Sequence, residues 1–181
     1  LDSEYLVDIS LGEDCSFCVT SMGRCFAFGS NTLGLGPGIV VASEPAAVDI
    51  PDFVVSVQAG ASHVVACTKS GNVYGWGQRL HLGLIGDNET REKCLSTPQR
   101  IETPEKIVQV CAGLDCSFFL AESGKVYSSG KKSGRLGLGE VHGDVGAPKA
   151  LYGGLQLWKK TRDETPLPPP SKTLLRQRVT T

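Results

Sequence analysis

Residues 57–77 read VQAGASHVVACTKSGNVYGWG, and residues 110–130 read VCAGLDCSFFLAESGKVYSSG. Laid over one another, the strings share glycines at three places: Gly60, Gly71 and Gly77 in the first, Gly113, Gly124 and Gly130 in the second. The intervals are eleven and six residues, and Gly12, Gly23 and Gly29 keep them a third time. A fixed spacing that recurs three times in one chain marks a repeat architecture.

Other positions hold the same register. Five and three residues before the first glycine stand Val7 and Ile9, Val55 and Val57, Val108 and Val110. Three residues after the second glycine comes an aromatic: Phe26, Tyr74, Tyr127. A proline with an apolar residue three places on closes each unit, as Pro45 with Val48, Pro98 with Ile101 and Pro148 with Leu151; from first glycine to first glycine the units measure 48 and 53 residues. The Val-x-Val pairs and the apolar runs 16–19, 64–67 and 117–120 predict short strands, as do the aromatic stretches 25–28 and 73–76. Gly71 and Gly124 fall between two strands at hairpin distance, where a tight turn requires positive φ. No segment sustains a 3.6-residue apolar period. The expected fold is all-β, a partial β-propeller of about three antiparallel blades that forms an open arc or a fragment of a larger ring.

With GSNTLGLG at 29–36 and GRLGLG at 134–139, the two quoted strings resemble the repeats of the regulator of chromosome condensation family, over roughly residues 7–151. The resemblance implies a seven-bladed ring in the complete fold. It also implies roles that range from guanine-nucleotide exchange on a small GTPase to regulatory arms of kinases and ubiquitin ligases. The family's His three residues after the first glycine is present as His63, but Cys15 and Cys116 take its place in the other units. Ser129 stands where the other units have Phe28 and Trp76.

The template stops after Pro148. It calls for apolar residues at 158 and 160 and glycines at 163 and 174, and the chain has Trp158, Lys160, Asp163 and Leu174. The expected organisation is therefore repeats over 1–152, with units of about 7–54, 55–107 and 108–152. A basic, proline-rich, disordered tail follows over 153–181, where six basic residues face Asp163 and Glu164. Run backward, the template places the preceding proline before residue 1. With Leu1 in place of Met, the chain is expected to be part of a longer protein.

A net charge of -1 gives no electrostatic reason to expect nucleic acid. No apolar run approaches a membrane span, so no membrane association is expected. Seven cysteines, an odd number scattered among apolar residues, read as free thiols in a reducing compartment, hence an intracellular and cytoplasmic rather than nuclear location.

Candidate sites are few. Cys15 and Cys18 form a CxxC with no second pair, and residues three apart on a strand point to opposite faces, so they read as packed thiols. His63 reads as a core histidine hydrogen-bonded to backbone near a turn. Gly134, Gly137 and Gly139 lack the Lys-Ser/Thr of a phosphate loop and read as turns. No cofactor, metal or catalytic residue is expected. From the last glycine of each LG motif to the closing proline is nine residues in units 1 and 3, but twelve from Gly86 to Pro98. The extra length holds a charged cluster of Asp87, Glu89, Arg91, Glu92 and Lys93, which makes this loop the candidate partner-binding element. The expected function is a non-catalytic module that binds a protein, such as a kinase or ligase domain of the same parent chain. Guanine-nucleotide exchange on a Ras-like GTPase is the alternative.

Overall fold

The computed structural model describes residues 3–84, 93–140 and 142–151. Among the described residues twelve strands form three separate four-stranded antiparallel sheets, each a meander in chain order. Blade 1 comprises β1 (Leu6–Leu11), β2 (Cys15–Thr20), β3 (Cys25–Ser30) and β4 (Val41–Val48). Blade 2 comprises β5 (Val54–Ala59), β6 (His63–Thr68), β7 (Val73–Gln78) and β8 (Cys94–Ile101). Blade 3 comprises β9 (Ile107–Ala112), β10 (Cys116–Ala121), β11 (Val126–Gly130) and β12 (Val145–Ala150). The partial propeller expected from the repeat is the architecture observed.

The three sets of glycines do three different jobs. Gly12, Gly60 and Gly113 close the first hairpin of each blade, each donating its N–H to the carbonyl three residues on at 2.8 Å. Their φ values are not left-handed; what they need is room. A Cβ on Gly60 would run into the Gly113 carbonyl of the next blade and come within 2.7 Å of His63. Gly23, Gly71 and Gly124 end the second hairpin at φ +74°, +86° and +85°. Each bonds back three residues to Thr20, Thr68 or Ala121 at 2.9 Å, the geometry of a turn closed by a left-handed residue. Gly29, Gly77 and Gly130 occupy bulges of the third strand, again at positive φ, where a Cβ would meet the backbone of Asp14, Ser62 and Asp115.

Simple alternation would put Val7 and Ile9 on one side of their strand, but pairing slips at Val7, Val55 and Val108 in every blade. The bulge turns those three valines to solvent. It brings Leu6 with Ile9, Val54 with Val57, and Ile107 with Val110 to the face that meets the preceding blade. At the seam of blades 1 and 2, Val54, Val57 and Trp76 pack against Phe17, Val19, Cys25, Ala27 and Leu33. At the next seam Ile107, Val110, Phe119 and Tyr127 pack with Val65, Cys67, Val73 and Leu82. The core lies between blades as much as within them, as stacked repeats require.

Two short helical turns break the all-strand expectation. Helix α1 (Arg79–Leu82) follows β7, and a 3-10 turn (Gly134–Leu136) follows β11. Both are too short to leave a period in the sequence. Each ends on a left-handed glycine, Gly83 or Gly137, which drops Leu82 or Leu136 into the core. Ser129 explains why α1 can form where it does. Trp76 of blade 2 lies against Gly34 of blade 1, whereas Gly83 of α1 lies against the small Ser129 of blade 3. The closing prolines Pro45, Pro98 and Pro148 sit within the outermost strands, where the missing N–H denies an incoming strand a bonding partner.

Candidate functional site

The charged loop lies mostly outside the described residues: Asp87, Glu89, Arg91 and Glu92 do, and only Lys93 falls inside. Its flanks are defined. Arg79 donates its backbone N–H to the Lys93 carbonyl at 3.0 Å and its Nε to the Leu84 carbonyl at 3.2 Å. One residue of α1 therefore gathers both ends of the insertion. The same rim carries a side-chain cross-link in every blade, between the residue two places after the first glycine and the loop after the third strand. These are Asp14 with Asn31 at 2.8 Å, Ser62 with His81 at 3.2 Å, and Asp115 with Arg135 at 3.1 Å. Sequence reading missed this register; a polar residue two places after each of Gly12, Gly60 and Gly113 was its only signal.

A second repeated contact was also missed. Eight residues before the first glycine stand Glu4, Asp52 and Glu105, and each grips the second hairpin of its own blade. Glu4 pairs with Arg24. Asp52 Oδ2 accepts from Thr68 at 2.9 Å, from Asn72 at 3.0 Å and from Ser70. Glu105 accepts from Lys125 at 2.9 Å and from Tyr127 at 2.6 Å. Hydrogen bonds from Ser123, Tyr127 and Lys125 hold the Glu105 carboxyl at about 2.

His63 is fully buried at the seam of blades 2 and 3. Beside a backbone hydrogen bond with Cys116 it has a side-chain partner that was not expected: Nε2 lies 3.0 Å from Ser117 Oγ of blade 3. The Ser117 hydroxyl donates to the His81 carbonyl at 2.8 Å, so its single proton is committed. Nε2 therefore carries the hydrogen and Nδ1 is a bare acceptor, without a partner among the described residues. Burial, reinforced by His81 at a ring separation of 5.3 Å, holds the imidazole down at about 4. A serine beside a histidine invites comparison with a nucleophile and its base. Here the base's nitrogen is already protonated, the hydroxyl points the wrong way, and both groups are sealed from solvent. The pair is an inter-blade tie.

The cysteines are unpaired. Cys15 and Cys18 are buried, Cys25 is pushed up by burial to about 12, and Cys67 to about 11 while donating to the Ile107 carbonyl at 3.2 Å. Thiols held so far above neutral pH are poor nucleophiles. Among the described residues no group of three or more His, Cys, Asp or Glu side chains is placed to hold a metal. No described helix is long and apolar enough to cross a membrane.

Comparison with known proteins agrees with this geometry. Family models described as "Regulator of chromosome condensation (RCC1) repeat" match residues 70–120 and 54–78. The chain is 33% identical over 151 residues to serine/threonine-protein kinase Nek9 of Xenopus laevis, covering 77% of this chain and 16% of the relative. It is 37% identical over 109 residues to the regulator of chromosome condensation of Homo sapiens, covering 59% of this chain and 26% of the relative. The chain thus spans about a sixth of the first relative's length and about a quarter of the second's. The solved structure of Prp20p from Saccharomyces cerevisiae superposes with a TM-score of 0.65 at 25% identity, over 79% of this chain and 37% of that one. Glycine register, blade topology and these matches converge: the chain belongs to the regulator of chromosome condensation repeat family.

Proposed function

We propose that the chain is a non-catalytic propeller module that binds a protein partner and regulates it, or regulates a domain of its own parent chain. One observation carries this. The blades are shared with a relative named as a protein kinase and with one named as a regulator, so what they hold in common is a surface rather than a reaction. The sealed Ser117–His63 pair and the high-pKa thiols agree with it. Within this reading the loop of Asp87, Glu89, Arg91, Glu92 and Lys93 is the partner contact, and support comes from its flanks, Leu84 and Lys93, which Arg79 ties together beside the cross-linked rim. Seven unpaired thiols support a reducing, cytoplasmic location.

Guanine-nucleotide exchange is the second reading. It is favoured by the identity with the human regulator of chromosome condensation and by the description of yeast Prp20p with binding to Gsp1p and histones. Release of fluorescent GDP from a panel of Ras-like GTPases separates the two. The module reading expects no acceleration by the chain, and a tenfold acceleration would replace it with the exchange reading. Affinity capture with the loop cut to the nine-residue link of blades 1 and 3 tests the contact. At least one captured partner is expected to be lost; undiminished capture of all of them removes the loop from the site.

A further inference from the structure

Each seam is built on a pair of residues that face the preceding blade. Val64 and Trp76 sit opposite one another on β6 and β7, and Ser117 and Ser129 take the same places on β10 and β11. Across the first seam, Val64 shares a buried cluster with Cys15, and a Cβ on Gly34 would come within 2.8 Å of the Trp76 indole. Across the second, Ser117 meets His63 at 3.0 Å, and Ser129 lies against Gly83 at the end of α1. Cys15 and His63 stand at one register, three residues after the first glycine. The two seams therefore follow one rule. An apolar residue opposes the thiol and a hydroxyl opposes the imidazole, because a buried hydroxyl or imidazole without its partner is destabilising. An aromatic ring fits a loop of bare glycine, and only a small side chain fits against a helical turn.

Ser16 and Phe28 are the same pair in blade 1. Cys15, Phe17, Cys25 and Ala27 face blade 2, and alternation turns Ser16 and Phe28 to the opposite side. Beside them lie Leu6 and Ile9, 57% and 67% exposed, whereas Val54 and Val57, which repeat them, are 1% and 0% exposed beneath blade 1. The pair is a hybrid: it joins the hydroxyl of the second seam to the aromatic ring of the first.

We propose that this face of blade 1 seats a further blade of the same repeat, one with histidine at the register of Cys15 and glycine at the register of Gly34. The histidine donates its Nε2–H to the Ser16 hydroxyl, as His63 does to Ser117, and Phe28 enters the glycine loop as Trp76 does. A second copy of this chain does not offer such a blade. Blade 3 carries Cys116 at that register, and blade 2, which has the histidine, is already covered by blade 3. The seat is separate from the rim loop and does not depend on the partner-binding reading.

A tandem duplication tests it. Repeating residues 6–53 before Leu6 sets a copy of blade 1 at the 48-residue spacing of the first unit, with its own Gly34 loop. Two forms are compared, one with Cys15→His in the copy and one with the cysteine kept. Val54 donates its N–H to the Gly23 carbonyl of blade 1 at 3.0 Å, so a seated copy protects the Leu6 amide in the same way. Hydrogen exchange at Leu6 is expected to be at least ~10-fold slower in the histidine form, and Ser16→Val in the original blade should reverse the order. Equal exchange in the two forms, or slower exchange in the cysteine form, overturns the proposal. So does self-association of the unaltered chain in sedimentation that Ile9→Asp abolishes, since the face would then belong to a second copy. Should neither duplication fold, the same rule is read at the existing seam. His63→Cys and Ser117→Val should each lower the urea midpoint, and the double variant should recover about half or more of the summed loss, whereas additive losses reject the rule and the seat with it.

Discussion

Ser117 of blade 3 and His63 of blade 2 meet across their seam at 3.0 Å, with the direction of the hydrogen bond fixed by the second bond from Ser117 to the His81 carbonyl. His63 must be neutral to fit. Its folded value of about 4 lies below the ordinary 6.5, so the unfolded chain binds the proton more readily. Stability is then complete above pH 6.5 and falls as pH drops toward 4, by about 3 kcal/mol at most. Burial lowers His81 as well, so it adds in the same direction. Chemical denaturation at pH 7.0 and 5.0 should show the loss in the natural chain and a smaller one in His63→Leu. Identical pH slopes would contradict the assignment of a buried neutral imidazole.

The carboxylate clasps titrate lower. Hydrogen bonds hold Glu105 at about 2, so its contribution is present above pH 4.5 and disappears as pH falls toward 2, apart from the histidine window. Tyr127, raised to about 12 by burial and then by its bond to Glu105, reports the same contact. Glu105→Gln should lower the alkaline midpoint of the Tyr127 phenol in an ultraviolet titration without bringing it to the ordinary 10. An unchanged midpoint would mean that the bond is absent in solution.

Gly60 and Gly134 make a matched pair. Gly60→Ala forces a Cβ against the Gly113 carbonyl and His63, while a Cβ on Gly134 meets nothing within 4 Å. The first change should destabilise the fold by about 2 kcal/mol or more, the second by within ~0.5 kcal/mol. Gly71→Val belongs with the first, because φ is +86° and Lys106 lies 2.8 Å from the new Cβ. Urea midpoints for the three variants provide the check, and equal midpoints would refute the close approach of blades 2 and 3.

Trp76 is buried against Phe17 at a ring separation of 5.6 Å and donates Nε1 to the Thr32 carbonyl at 3.0 Å. Trp76→Ala should cost about 3–5 kcal/mol by opening a cavity between blades. Trp76→Phe should cost less, keeping most of the volume and losing the hydrogen bond. The converse change, Ser129→Trp, should also destabilise, since the two residues are packed so closely that even a Cβ on Gly83 would come within 2.7 Å of Ser129 Cβ. Thermal unfolding of the three variants orders them, and a tolerated Ser129→Trp would show that α1 does not depend on the small residue.

Spacing alone was enough to specify the blades, because the first two hairpins and the third-strand bulge of each blade need a glycine at a fixed place and glycine cannot be replaced there without steric cost. The Gly12, Gly23 and Gly29 register, the closing prolines and the alternating apolar runs are local demands of the backbone, and local demands are written residue by residue. The seams are another matter. Nothing near Ser117 in sequence announces that it meets His63, 54 positions away, or that Ser129 makes room for Gly83. The slip at Val7, Val55 and Val108 buries Val54 and Ile107 where a period-two pattern would bury Val55 and Val108, and a period-two reading cannot contain it. The rim cross-links and carboxylate clasps likewise join residues about twenty apart that only the folded hairpins bring together. The sequence by itself determined the repeat and its turns. Only the tertiary structure decided which faces meet and that His63 is buried as a neutral imidazole, because packing between blades depends on distances that no local pattern encodes.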